Sequence, residues 1–296
     1  MKRLTSEFCL LPFALLFISS FFFLSSVTAQ KDKKAQPVAP TIKRTTTRHE
    51  ILRLAYGGTV TISAAPAGSI TIEGWQRSEV EVNAEIELQA GSAADLDRLL
   101  AVNNFVVDED ANHVRILTTG MHDKTFMKRV AKDFPKALLG LPWKIDYHIK
   151  VPALTDMEID AGNGPIKLSG VEGAIRLNAL ESVADLTLTG GEVSATVQGG
   201  TVNVTIPSRG WHGLGADIKL ARGNLNVDLP AGFSADIEAQ VMRAGEIKNN
   251  YPNLQALERN SITPRSMRAR AGSGGAALSF TVGDGVIQFR QLAGKP

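Results

Sequence analysis

Along the middle of the chain, a glycine is repeatedly followed two and four positions later by apolar residues, with a polar residue between them. Gly164-Pro-Ile166-Lys-Leu168, Gly173-Ala-Ile175-Arg-Leu177, Gly191-Glu-Val193-Ser-Ala195, Gly200-Thr-Val202-Asn-Val204 and Gly223-Asn-Leu225-Asn-Val227 share this form. Ala184-Asp-Leu186-Thr-Leu188 and Ala216-Asp-Ile218-Lys-Leu220 repeat it with alanine first, and it recurs toward the ends at Gly58, Gly68 and Gly285. Apolar residues two apart mark a strand with one buried and one wet face. The residue between them in the central units is Lys167, Arg176, Thr187, Ser194, Asn203, Lys219 or Asn226. None is apolar, so one face of the whole array is predicted to meet water.

A glycine ahead of each strand supplies a corner, because it adopts positive φ without a Cβ penalty. From 164 to 223 the units start 9, 11, 7, 9, 16 and 7 residues apart. The interval of 16 reads as a unit whose signature is lost around Ser208-Arg209-Gly210-Trp211-His212. Paired units make coils that cannot bury an apolar face alone; stacking them builds a continuous core. The predicted fold is all-β, a single-domain β-solenoid (β-helix) of short strands with glycine corners. An antiparallel β-sandwich is the alternative, since it spaces short strands similarly. The regular phase of the glycines favours the solenoid.

Two short helical insertions interrupt the pattern. Residues 92–102, SAADLDRLLAV, predict a helix capped by Ser92 with Leu96, Leu99 and Leu100 on one face. Residues 123–139 place Phe126, Val130, Phe134 and Leu138 four apart, with Lys124, Lys128, Arg129, Lys132 and Lys136 elsewhere. This predicts a basic amphipathic helix, bent near Pro135. Its apolar face is expected to be a lid on the solenoid, and a foot on a membrane surface is the competing reading. The polar stretch 248–275 has no periodicity and is expected to be a long surface loop.

The first residues change the setting. Lys2-Arg3 precede an apolar run from Phe8 to Val27, and Val27-Thr28-Ala29 lead into Gln30. Residues 1–29 therefore read as a signal peptide cleaved after Ala29, with an N-terminal membrane anchor as the alternative. Residues 30–50 read as a flexible linker and 51–292 as the folded domain. The single cysteine, Cys9, lies in the leader. Cleavage would leave no thiol, which removes disulfides and thiolate metal sites. Of 32 basic and 30 acidic residues, losing Lys2, Arg3 and Glu7 leaves 30 and 29, a net charge of +1. A near-neutral chain without a basic cluster in its repeats is not expected to bind nucleic acid.

Four stretches, in order, carry a family resemblance: GSITIEGWQRSEVEVNAEIE (68–87), IKVPALTDMEIDAGNGPIKLSGVEGAIRLNAL (149–180), GNLNVDLPAGFSADIEAQ (223–240) and GDGVIQF (283–289). Over about residues 51–292 the chain resembles the bacterial "putative adhesin" domain family, related to the head domain of supposed autotransporter adhesins. The resemblance implies a secreted or membrane-tethered β-solenoid and little chemistry. The basic helix and the 248–275 loop depart from the family pattern.

Candidate chemistry is sparse. His49, His113, His122, His148 and His212 lack metal spacing, and no HExxH or Gly-x-Ser-x-Gly occurs. Asp108-Glu109-Asp110-Ala-Asn112 has the first three spacings of a calcium loop. His113 replaces its glycine and Thr119 its last glutamate, so a polar hairpin tip is the better reading. Asn203-Val-Thr205 matches a glycosylation acceptor within a strand. His212 beside Trp211 reads as a turn and, second, as a ligand contact. Asp156, Glu158 and Asp160 alternate on one strand; close like charges need partners, and Lys167 and Arg176 are the candidates. No catalytic, cofactor-binding or metal-binding residue, and no cofactor, is assigned. The expected role is a non-enzymatic exported module of the cell envelope, adhesin-like, meeting an unidentified envelope protein or polysaccharide. An envelope-stress sensor acting through a protein partner is the alternative, and a carbohydrate-active solenoid enzyme the third reading. N-terminal sequencing of the exported protein should begin at Gln30; Met1 recovered from a membrane fraction would put an anchor in place of the signal.

Overall fold

The computed structural model describes residues 41–130, 132–252 and 254–293. The expected signal peptide and residues 30–40 of the expected linker lie outside them. The elements begin with β1 (Ile42–Arg53), β2 (Thr59–Ala67), β3 (Ile70–Trp75), β4 (Glu79–Ala90) and α1 (Ala93–Val102). β5 (Asn104–Glu109), β6 (His113–Thr119), α2 (Lys124–Val130), a 3-10 turn (Lys136–Leu138) and β7 (Trp143–Pro152) follow. Next come β8 (Asp156–Asn163), β9 (Ile166–Ser169), β10 (Ala174–Thr187), β11 (Gly190–Thr205) and β12 (His212–Leu229). The last are β13 (Ala235–Asn250), β14 (Leu254–Ala256), β15 (Ser266–Ala271) and β16 (Ala277–Gln291). All the strands belong to one sheet, which runs from β1 to β14 without closing on itself.

The centre of the sheet is a parallel stack. The two halves of β10 lie on β8 and β9, and β11, β12, β16 and β13 follow in register. Residue i of β10 pairs with i+18 in β11, as in Ile175↔Val193 and Leu186↔Val204. From β11 to β12 the offset is 23, as in Val202↔Leu225. The five additional residues fall in the turn between Thr205 and Gly215. No unit is missing there, contrary to the sequence expectation. Trp211 explains the longer turn: it is buried, and its indole N–H donates to the Gly191 carbonyl at 3.1 Å.

In β11, β12, β16 and β13 a glycine makes the bend, at Gly200, Gly223, Gly285 and Gly245; in β10 Ser182 stands at the same level. Gly200 and Gly223 lie one above the other with φ of +113° and +130°. A Cβ on Gly200 would lie 2.0 Å from the Ser182 carbonyl oxygen, and one on Gly223 1.8 Å from that of Gly200. Backbone angle and space both exclude a side chain. Of the glycines expected at corners, Gly68, Gly164, Gly191, Gly200, Gly223 and Gly285 take positive φ, whereas Gly58 and Gly173 do not.

Between the bends, alternate residues of each layer fill the interior. Leu177, Ala195, Ile218, Phe280 and Ala239 form one column, all buried. Large and small residues share the column: the Phe280 ring sits between Ile218 and Ala239 and meets Phe289 edge-on at 5.6 Å. Such interdigitation is what close packing requires.

Neither end of the stack follows sequence order. β2 lies between β6 and β8, and β3 between β7 and β9. At the far end β16 runs between β12 and β13. The first and last parallel segments are thus each held one layer inside. Antiparallel strands finish the sheet: β4 and β1 on β7, β5 on β6, and β15 and β14 on β13.

Several expectations need correction. The linker does not reach residue 50, because β1 starts at Ile42 and pairs with β4 along its whole length. Its period-two order was hidden by cations and threonines at the half-buried positions Arg44, Thr46 and Arg48. Residues 248–275 are not one loop. β13 runs to Asn250, and β14 and β15 lie within the stretch, with Tyr251, Met267, Ala269 and Ala271 buried. The Tyr251 hydroxyl donates to the Pro230 carbonyl and accepts from the Phe233 N–H. The helix at 92–102 forms, with Ser92 accepting from the Asp95 N–H and Leu96, Leu99 and Val102 buried. The one expected over 123–139 stops at Val130, and only the 3-10 turn at Lys136–Leu138 follows Pro135.

The register makes a direct test. Ile218 is 0 % exposed and Lys219 points outward. Ile218→Asp buries a charge without a partner and should cost more than about 4 kcal/mol. Lys219→Asp should leave the melting temperature nearly unchanged. Equal losses would contradict the assignment.

Candidate functional site

The outward side chains of β8, β10 and β11 form the face on which the three alternating carboxylates were expected to meet. β8 presents Asp156, Glu158 and Asp160, and parallel register sets Ala174, Arg176 and Asn178 beside them. Asp156 accepts from the Ala174 backbone N–H at 2.7 Å. Glu158 pairs with Arg176 at 3.3 Å, and Asp160 accepts from the Asn178 amide at 2.9 Å. Each carboxylate is thus engaged by its own partner in the next layer. Arg176 was anticipated as a partner; Lys167 was not placed correctly. It belongs to β9, where it sits beside Asp185 and Thr71 on the other half of the layer. Glu158 and Arg176 are both largely open to water, an arrangement suited to holding surface register and not to proton transfer.

The small outward residues Ser194 and Thr196 of β11 lie beside Arg176 and Asn178. They leave shallow grooves along this face, one lined by Asp156, Glu158, Arg176, Glu192 and Ser194 and another by Asp160, Asn178, Leu180, Thr196 and Gln198. A third groove, of about 250 Å³, lies over Asp236, Glu238, Arg268 and Ser279, with Leu257 at its rim. Periodicity could not reveal it, because Leu257 arrives from a segment read as loop.

The second half of each layer carries a hydrogen-bonded ladder. The Asn203 amide donates to Asp185 at 2.7 Å and its oxygen accepts from the Asn226 amide at 2.8 Å. Asn203 is half-buried in this ladder, so a glycan on its nitrogen would break the bond to Asp185. Further along the same side, β4 presents Glu79, Glu81, Glu85 and Glu87 at alternate positions. They lie between β1 and β7. Glu87 meets Lys43 at 2.8 Å and Lys144 at 3.8 Å; Glu81 meets His49 at 3.6 Å and Lys150 at 3.7 Å. The hydrogen bond from Asn83, then Lys150 and His49, holds the Glu81 carboxyl below its ordinary value. Lys43 does the same for Glu87, aided by Gln89. Burial would raise Asp146, but bonds from Lys144 and Ser69 outweigh it and the carboxyl is lowered.

Two other candidates resolve as local structure. Asp110 accepts from the Asn112 and His113 backbone N–H groups at 2.9 and 3.0 Å, closing the tip between β5 and β6. Arg115 holds Asp108 at 3.0 Å. The hairpin-tip reading of 108–113 accounts for these acids. His212 is exposed at the turn that Trp211 plugs. Among the described residues, no three His, Cys, Asp or Glu side chains come together as a metal site, and no helix is long and apolar enough to cross a membrane.

The chain is similar to a solved protein from Clostridium sporogenes described as "a putative cell adhesion protein". The two are 12% identical, over 84% of this chain and 100% of that one, with a TM-score of 0.47. A "putative adhesin" from Bacteroides fragilis is 12% identical over 83% of this chain and 97% of that one, with a TM-score of 0.27. Another from Parabacteroides distasonis is 10% identical over 82% and 97%, with a TM-score of 0.23. These neighbours bear the name of the family that the sequence resembles. At such identities and TM-scores, the likeness decides neither the architecture nor an activity. No family model matches the chain, and no curated protein matches it.

The acid ladder on β4 has a pH consequence. A carboxyl whose folded-state value is depressed adds stability above its unfolded value and loses it as pH falls through the folded one. For Glu81 and Glu87 the loss should set in below the ordinary 4.5. The melting temperature should therefore drop on acidification below that point, and less steeply in Glu81→Gln/Glu87→Gln. An identical acid profile in that variant would detach these carboxylates from stability.

Proposed function

We propose that this chain is an exported, non-enzymatic β-solenoid whose flat lateral faces serve recognition: an adhesin-like interaction or structural module of the cell envelope. The observation that carries this reading is the engagement of Asp156, Glu158 and Asp160 by three different partners of the adjacent layer. On such a face the three alternating carboxylates are held by neutral or cationic partners, an arrangement that favours an ordered polar surface over the poised acid and base of glycosidic hydrolysis. The parallel layers with offsets of 18 and 23 residues and the stacked glycine bends support the solenoid in preference to a sandwich of antiparallel hairpins. Shallow grooves over small side chains suit an extended polymer better than a small molecule, which calls for an enclosed cavity.

The test is retention on immobilised envelope polysaccharide and peptidoglycan, run beside a glycan-degradation screen. Retention without degradation is expected, weakened by Ser194→Trp/Thr196→Trp, which fills the groove. Release of sugars that stops in Glu158→Gln would replace the binding module with a carbohydrate-active enzyme.

A further inference from the structure

We propose that the excursion between β6 and β7 is a contact element for an anionic lipid surface. This goes beyond the recognition role of the lateral faces and does not depend on it. Lys124, Lys128, Arg129, Lys132 and Lys136 are all exposed. None takes part in an ion pair among the described residues. Many cations of the sheet are matched across strands, as in Lys43–Glu87, Arg176–Glu158 and Arg270–Asp236. Those without an ion pair among the described residues, such as Arg53, Lys167 and Arg209, are spread along the chain instead of gathered in one segment. Two acids accompany the five cations, Asp123 ahead of them and Asp133 among them. Asp133 is exposed, and Asp123 accepts from the Thr125 and Phe126 backbone N–H groups at 2.8 and 3.0 Å.

The apolar residues of the same segment divide into two sets. Leu138 is buried, and Met121, Phe134 and Leu141 pack against the core. Among the described side chains of the face expected to form a lid, only Phe134 and Leu138 thus meet the core. Phe126 and Met127 on α2 are half-exposed and do not pack on that core, and Leu139 is 49 % exposed. Unpaired cations beside uncovered aromatic and aliphatic side chains are what a lipid interface rewards: headgroups attract the charge while the apolar side chains enter the acyl boundary.

Co-sedimentation of the exported protein with phosphatidylglycerol-containing vesicles, against pure phosphatidylcholine vesicles, tests the proposal. Partitioning should favour the anionic vesicles and weaken as salt rises from about 0.1 to about 1 M. Lys128→Glu/Arg129→Glu should lower it at least about tenfold with the melting temperature unchanged. Phe126→Ser should weaken it, and Arg98→Glu/Lys219→Glu, which changes net charge equally, should retain it. Equal binding to both vesicles, binding only to soluble polyphosphate, or equal loss in both charge-reversal variants would overturn the proposal. If Lys128→Glu/Arg129→Glu does not fold, the headgroup and salt dependence of the parent protein decides alone.

Discussion

Successive layers of this protein are spaced by backbone hydrogen bonds between parallel strands, and that spacing is the constraint on everything else. Strands about 4.8 Å apart leave no room for a Cβ where β11 and β12 bend sharply. Gly200 and Gly223 meet the demand by stacking carbonyl against Cα. The interior must satisfy it as well, because each side chain faces the one above at the same spacing. Phe280 is accommodated only because Ala239 is its neighbour in the next layer. The outer faces obey the same rule with polar groups. Asp185, Asn203 and Asn226 bond one another along the stack, and Glu158 meets Arg176.

A stack so regular invites further layers at its ends, since an unpaired edge is a template for another strand. Here the ends are interleaved. β2 and β3 are enclosed by segments that come later in the chain, and β16 runs beneath a strand that precedes it. Beyond them, β1 carries Arg44, Arg48 and Glu50 at its half-buried positions. The Arg48 guanidinium lies 4.2 Å above the Phe105 ring and donates to the Phe105 carbonyl. Charged residues turned inward on an edge strand discourage a second copy from pairing there.

The central layers were legible in the sequence because their order is periodic. Val202 and Ile218 are buried where alternation put them, and glycine marks the bends. What was missed lacked contrast. β1 alternates cations and threonines instead of apolar and polar residues, and β15 buries Met267, Ala269 and Ala271, in which alanine gives little signal. The helix over 123–139 had the right spacing, but Pro135 starts only a 3-10 turn, and Phe126 and Met127 of α2 stay half-exposed. Interleaving at the ends was invisible, because it depends on pairings between segments far apart in the chain. Among site residues, the alternation of Asp156, Glu158 and Asp160 was read correctly. Which cation faced them was not, because the bend within the layer sends Lys167 to the other half.

The parallel register is tested most directly by cross-linking, since the only cysteine of the chain is Cys9. Thr187 of β10 is the partner of Thr205 in β11, and both side chains face outward on the same side. Partners in adjacent strands lie within the Cα separation that a disulfide spans. Thr187→Cys/Thr205→Cys should oxidise to an intramolecular disulfide at an undiminished melting temperature, whereas Thr187→Cys/Val204→Cys, with one side chain turned inward, should not. Failure of the first pair to close, or equal closure of both, would contradict the in-register parallel stack.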